Sequence, residues 1–121
     1  METNEIKEVI QTYFDAGYES DGEKMRTAIH NAAHTYVHDE RGALMDRDKE
    51  TFIKLVESGK SNAPYPRQEE ILSIDFTSEN TAVALVKVRI GKILFTDVLS
   101  FIRLDGKWTI ISKLAAGEPV E

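Results

Sequence analysis

Two short turns near the C-terminal end constrain this chain more than any other feature. Residues 92–114, KILFTDVLSFIRLDGKWTIISKL, hold two runs rich in β-branched and aromatic residues around Asp105-Gly106, a pair suited to a type I′ turn. Just upstream, Gly91-Lys92 suits a type II′ turn. A two-residue turn sets the pairing of its strands, and pairing sets which side chains share a face. The first turn pairs Ile90 with Ile93, Val86 with Asp97 and Ala84 with Leu99. The second pairs Leu104 with Lys107 and Phe101 with Ile110; continued without interruption, it pairs Leu99 with Ser112 and Asp97 with Leu114. One face then carries Ala84, Val86, Val88, Ile90, Phe95, Asp97, Leu99, Phe101, Trp108, Ile110, Ser112 and Leu114. It is almost wholly apolar, so helices should cover it, and Leu72, Ile74 and Phe76 join it through a turn at 78–80. The opposite face mixes Val83, Leu85, Val98, Ile102 and Ile111 with Lys87, Arg89, Ser100 and Lys113. That is more apolar than an open sheet face in water usually is, and it predicts a homodimer through this outer face.

Upstream, the period changes. Ile6, Val9, Ile10, Tyr13, Phe14 and Gly17 follow the spacing of one helix face, broken at Ser20-Asp21-Gly22. Asp21 can cap a second helix with Met25, Ala28 and Ile29 inward. Residues 34–38 read as a short strand, followed by a turn near Arg41-Gly42. Asp46 can cap a third helix that buries Phe52, Ile53 and Val56 and stops at Gly59. Pro64 and Pro66 make 61–66 a loop. Strands follow at about 69–77, 81–90, 93–104 and 107–114, and the tail after Leu114 reads as frayed.

The 121 residues fit one domain, 1–121. The net charge of −6 resides in residues 1–23, which hold seven acids and one base. No basic cluster offers itself to nucleic acid. There are no cysteines, no apolar run long enough to span a membrane, and no signal-like N-terminus, so no membrane partner and a cytoplasmic location are expected.

Asp97 is the leading candidate for chemistry. A carboxylate on a covered apolar face is either a tuned acid or base, or a structural group satisfied by Tyr13, Ser112, a histidine or backbone. His30, His34 and His38 would share one side of a helix, but Thr35-Tyr36-Val37 favours a strand. There His34 and His38 stand roughly 13 Å apart, too far for one ion, and no metal site is expected. His30 can still join Asp97 in catalysis, and His34, Tyr36 and His38 can line a pocket or simply be exposed. Tyr13, Phe95, Trp108 and Ser112 complete the candidate ligand contacts, with core packing as the alternative for Tyr13 and Trp108. Lys113 falls on the face opposite Asp97 unless the last strand bulges.

Several strings together resemble a known family: Ala28-Ile-His, Arg47-Asp-Lys-Glu-Thr-Phe-Ile, Ile71-Leu-Ser-Ile-Asp, Thr81-Ala-Val-Ala, Phe95-Thr-Asp-Val-Leu, Asp105-Gly-Lys-Trp-Thr-Ile and Ser112-Lys113. The chain resembles the putative lumazine-binding family of the nuclear transport factor 2-like superfamily, which also includes ketosteroid isomerase, scytalone dehydratase and polyketide cyclases. It departs from the family pattern at Asn31, where proline often follows the histidine, and at Val98, where an aromatic often follows the aspartate. The resemblance implies an α+β fold, a cone-like curved antiparallel sheet packed on three N-terminal helices. Three functions stay open. The chain binds a small, partly apolar organic molecule; or it is a cofactor-independent isomerase, dehydratase or cyclase using Asp97 with a histidine or tyrosine; or it is a dimeric interaction module without a ligand. No cofactor is expected in any of them.

Overall fold

In a computed structural model describing residues 2–39, 41–59 and 64–120, the first apolar stripe forms helix α1 (Asn4–Glu19). Ile6, Ile10, Tyr13 and Phe14 are its buried face. A fully buried Ile or Phe side chain contributes about 1.5–3 kcal/mol on leaving water. Ser20 ends α1 in a left-handed conformation, and the Asp21 carboxylate accepts the Lys24 N–H to start α2 (Gly22–Ala28), as its position predicts. The chain continues through β1 (Ile29–His38), β2 (Leu44–Asp48), α3 (Lys49–Ser58), β3 (Glu69–Phe76), β4 (Thr81–Ile90), β5 (Ile93–Leu104) and β6 (Lys107–Pro119). The six strands form one curved sheet in the order β2-β1-β6-β5-β4-β3. The helices cover its inner face, where Ala84, Val86, Leu99, Phe101 and Ile110 meet Ile6, Ile10, Met25 and Ile53 in a single core.

Both turns take the backbone their residues require. Asp105 and Gly106 have φ of 50° and 77°, as a type I′ turn needs, and Gly91 has φ 61°. The β4–β5 pairing follows the expected register throughout, and β5–β6 follows it from Leu104 to Phe101. There it changes. Phe101 pairs with Ile110 but Ser100 pairs with Ser112, so Ile111 is an extra residue and β6 bulges. Beyond it Leu99 pairs with Lys113 and Asp97 with Ala115. Lys113 therefore faces inward with Asp97, while Ser112 and Leu114 turn to the outer face, the reverse of the uninterrupted register.

Other expectations change for related reasons. β6 does not fray after Leu114; β5 is long enough to pair with it down to Ile93↔Pro119. Its residues there are small. A β-carbon on Gly117 would stand 2.8 Å from Ile93 Cγ2 and 2.9 Å from the Phe95 ring, so any other residue here would force those side chains to shift. The sheet is mixed, because β1 runs parallel to β6. β1 begins at Ile29 rather than 34, and takes that residue from the second helix. Residues 44–48 form a strand beside β1, so α3 is capped by Asp48, which accepts the Thr51 N–H, and not by Asp46. A bulge between Ile71 and Ser73 moves Leu72 to an exposed position, while Ile71, Ile74 and Phe76 pack on the core. Of the expected loop at 61–66, residues 61–63 lie outside the described residues.

Candidate functional site

The bulge in β6 assembles a charged group under the helices. Asp97, in mid-β5, is 0% exposed. The Tyr13 hydroxyl, from α1, donates to Asp97 Oδ2 at 2.5 Å. Lys113 Nζ lies 4.0 Å from the same oxygen, beyond hydrogen-bond reach but close enough for charge attraction. Asp97 Oδ1 has no hydrogen-bond partner among the described residues. The Lys113 ammonium also sits 4.7 Å from the Phe52 ring centroid and 5.3 Å from that of Tyr13, in cation–π range.

Burial and charge set the proton affinities. Burial raises the Tyr13 phenol well above its ordinary value, and the Asp97 charge and hydrogen bond add to the effect. Burial lowers the Lys113 ammonium; Asp97 opposes that lowering and the Arg47 charge reinforces it.

A cavity of about 480 Å³ opens beside this group, between α1, α3 and the ends of β4 and β5. Phe52, Val56, Val88, Ile90 and Phe95 wall it, and Tyr13, Ser20, Ser58, Tyr65 and Lys113 are the polar residues of its lining. Asp97 is not among the residues that line it; it contacts two that do, Tyr13 and Lys113. A second hollow of about 770 Å³ continues toward β1 and β2 and shares Phe52, Phe95 and Lys113 with the first.

The candidate residues separate into two groups. Asp97, Tyr13 and Phe95 come together. The histidines do not reach them. The His30 Nδ1 accepts the Ala32 N–H. His34 Nδ1 lies 2.6 Å from Asp46 Oδ1, and its ring stacks on Tyr36 at 6.1 Å. His38 Nδ1 is 3.2 Å from the Asp39 carbonyl. Strand pairing places His34, Tyr36 and His38 on the outer side of the sheet with Ser112 and Leu114, although Tyr36 and His38 also border the second hollow. Trp108 packs edge-on against Phe76 at 5.8 Å, beside the 105–106 turn and away from the 480 Å³ cavity. No group of three or more His, Cys, Asp or Glu gathers for a metal among the described residues, and no helix there is long and apolar enough to cross a membrane.

Lys113, Thr35 and Arg47 were not candidates. Thr35 carries no local signature; Arg47 and Lys113 lie in strings shared with the resembled family, but nothing local brings them together, and Lys113 depends on a bulge that the alternation of residues 107–115 does not reveal.

The pattern of the family described as "Putative lumazine-binding" matches residues 1–114. Among solved structures, a nuclear transport factor 2-like protein of unknown function from Shewanella baltica OS155 is similar at 25% identity and TM-score 0.88, covering 96% of this chain and 93% of that one. One from Methylobacillus flagellatus KT is similar at 26% identity and TM-score 0.83, covering 95% and 90%. At 22% identity, a protein from Silicibacter pomeroyi DSS-3 shares the fold, with TM-score 0.86 over 98% and 100%. No curated protein matches the chain. The chain belongs to the putative lumazine-binding family of the nuclear transport factor 2-like superfamily.

Proposed function

We propose that this member of the putative lumazine-binding family binds a small, partly apolar organic molecule in the cavity between α1, α3 and the sheet. The observation that carries the reading is the cavity itself. At about 480 Å³ it falls within the size range of small-molecule sites, and its walls are apolar with a few convergent polar groups. Tyr13 and Phe95 are ligand contacts in this reading, Lys113 joins them, and Asp97 holds Tyr13 and Lys113 in position. Any reaction carried out here would draw on the polar residues that line the cavity, Tyr13 and Lys113 beside Asp97 foremost, since Asp97 itself does not line it.

The test uses N-phenyl-1-naphthylamine, a neutral dye that brightens in apolar surroundings. Saturable enhancement with the wild-type protein is expected. Val56→Trp, which fills the cavity from α3, should abolish it. No enhancement with the wild type would remove the reading.

The same proposal includes a homodimer through the outer sheet face. Cross-strand pairing lines up Tyr36, Leu114, Val98 and Leu85 in one row across β1, β6, β5 and β4. Leu114 is 56% exposed and Val98 36%, an apolar patch suited to a second copy of itself.

A further inference from the structure

A second row crosses the inner face. Arg47 on β2 pairs with Thr35 on β1, and Thr35 pairs with Lys113 on β6. Neighbouring strands lie about 4.8 Å apart, so a guanidinium-bearing and an ammonium-bearing residue flank the threonine at that spacing on either side. All three line the hollow that continues from the ligand cavity. Thr35 is 5% exposed, yet its Oγ1 has no hydrogen-bond partner among the described residues. Leaving a buried hydroxyl without a partner is costly, which points to an acceptor supplied from outside the chain. Arg47 has no acidic partner among the described residues; its Nη2 reaches only the Met45 sulfur, at 3.8 Å. Lys113 Nζ has Asp97 at 4.0 Å, and that oxygen already accepts from Tyr13.

We infer that Arg47, Thr35 and Lys113 form a cradle for a carboxylate, so that the ligand of the adjoining cavity is a partly apolar carboxylic acid. This rests on the ligand-binding reading of that cavity and names the chemistry of its ligand. The apolar body lies against Phe52 and Phe95, which border both spaces. The carboxylate lies over Thr35, accepts a hydrogen bond from its hydroxyl, and takes charge-assisted hydrogen bonds from Arg47 and Lys113. The nearby acids do not cancel this arrangement. Asp97 is on β5, on the far side of Lys113 from Thr35, and its charge offsets one of the two cations. The Asp39 carboxylate accepts the backbone N–H groups of Arg41 and Ala43, and the Arg41 residue lines the same hollow. Glu118 also borders the hollow, but it pairs with Leu94 on the outer parity of the sheet and is exposed to solvent, which screens its charge. Arg47 itself makes no ion pair among the described residues.

Calorimetric titration with 1-naphthylacetate and its neutral analogue 1-naphthylacetamide tests the cradle. The carboxylate should bind about tenfold tighter or more, the range for hydrogen bonds to a charged group. Arg47→Gln should remove most of that ratio. Thr35→Val, which keeps the side-chain shape and deletes the unpartnered hydroxyl, should lower it without loss of fold, as checked by circular dichroism. Equal affinity for the two compounds, or a preference that survives both substitutions, overturns the cradle. If N-phenyl-1-naphthylamine still binds in that case, the cavity reading stands alone; if it does not, the cavity reading falls with it.

Discussion

Tyr13→Phe is the sharpest perturbation of this fold, because it removes one oxygen and little else. The hydroxyl is the sole hydrogen-bond donor to the Asp97 side chain among the described residues, and Asp97 is fully buried with Oδ1 already unpartnered. A hydrogen bond to a charged group contributes about 1.5–3 kcal/mol, and uncovering a buried charge adds to that. Lys113 at 4.0 Å limits the loss without replacing the bond. The expected destabilisation is therefore about 2–3 kcal/mol. In a domain of this size that corresponds to a fall in Tm of roughly 6–18 °C. Asp97→Leu should also destabilise, because it leaves the Tyr13 hydroxyl without its acceptor and Lys113 beside Arg47 without a counter-charge. Urea denaturation at pH 7 of the wild type, the two single variants and Tyr13→Phe/Asp97→Leu closes a double-mutant cycle. The double variant should lose about 1–2 kcal/mol less than the two single losses added together. A Tyr13→Phe loss under about 0.5 kcal/mol with an unchanged m value, or a coupling near zero, would refute the claim that Tyr13 sustains Asp97.

Gly106→Ala should cost about 1 kcal/mol or more, all of it from backbone strain, since φ is +77° and nothing lies within 4 Å of the added β-carbon; an unchanged urea midpoint would contradict the type I′ turn. The raised Tyr13 pKa makes the folded chain hold its phenolic proton where the unfolded chain has released it, above about pH 10. The stability advantage of the wild type over Tyr13→Phe should therefore be complete below that pH and shrink as pH rises toward the folded value; an advantage that grows with alkalinity would reverse the assignment. Leu114→Lys puts a charge at the centre of the outer apolar row and should convert a dimer into a monomer by light scattering, since a standard interface buries about 800 Å² per partner. A wild-type protein that is monomeric at high micromolar concentration would remove the dimer.

Much of the architecture is legible in short stretches of the sequence because it is determined by short-range chemistry. Asp105-Gly106 and Gly91-Lys92 specify turns by the φ values they tolerate, so the β4–β5 register and the near end of β5–β6 follow from four residues. The period of α1 places Tyr13 inward, Asp21 caps α2 through its own side chain, and the register of β4 and β5 alone buries Asp97. The placement of Lys113 is not local. From Ile111 to Ala115 the residues fit either parity, and the register that turns Lys113 inward also exposes Leu114, against simple sorting of apolar from polar. What selects it is contact across the fold: Asp97 from β5, Tyr13 from α1 and Phe52 from α3 surround the ammonium, while β1 pairs in parallel on the other edge of β6. The row from Arg47 through Thr35 to Lys113 has the same origin, since it joins strands far apart in the chain whose alignment no single segment encodes. Local backbone preferences thus set the sheet and the position of the buried acid, and only the tertiary packing of two helices and two distant strands decided which charges meet it.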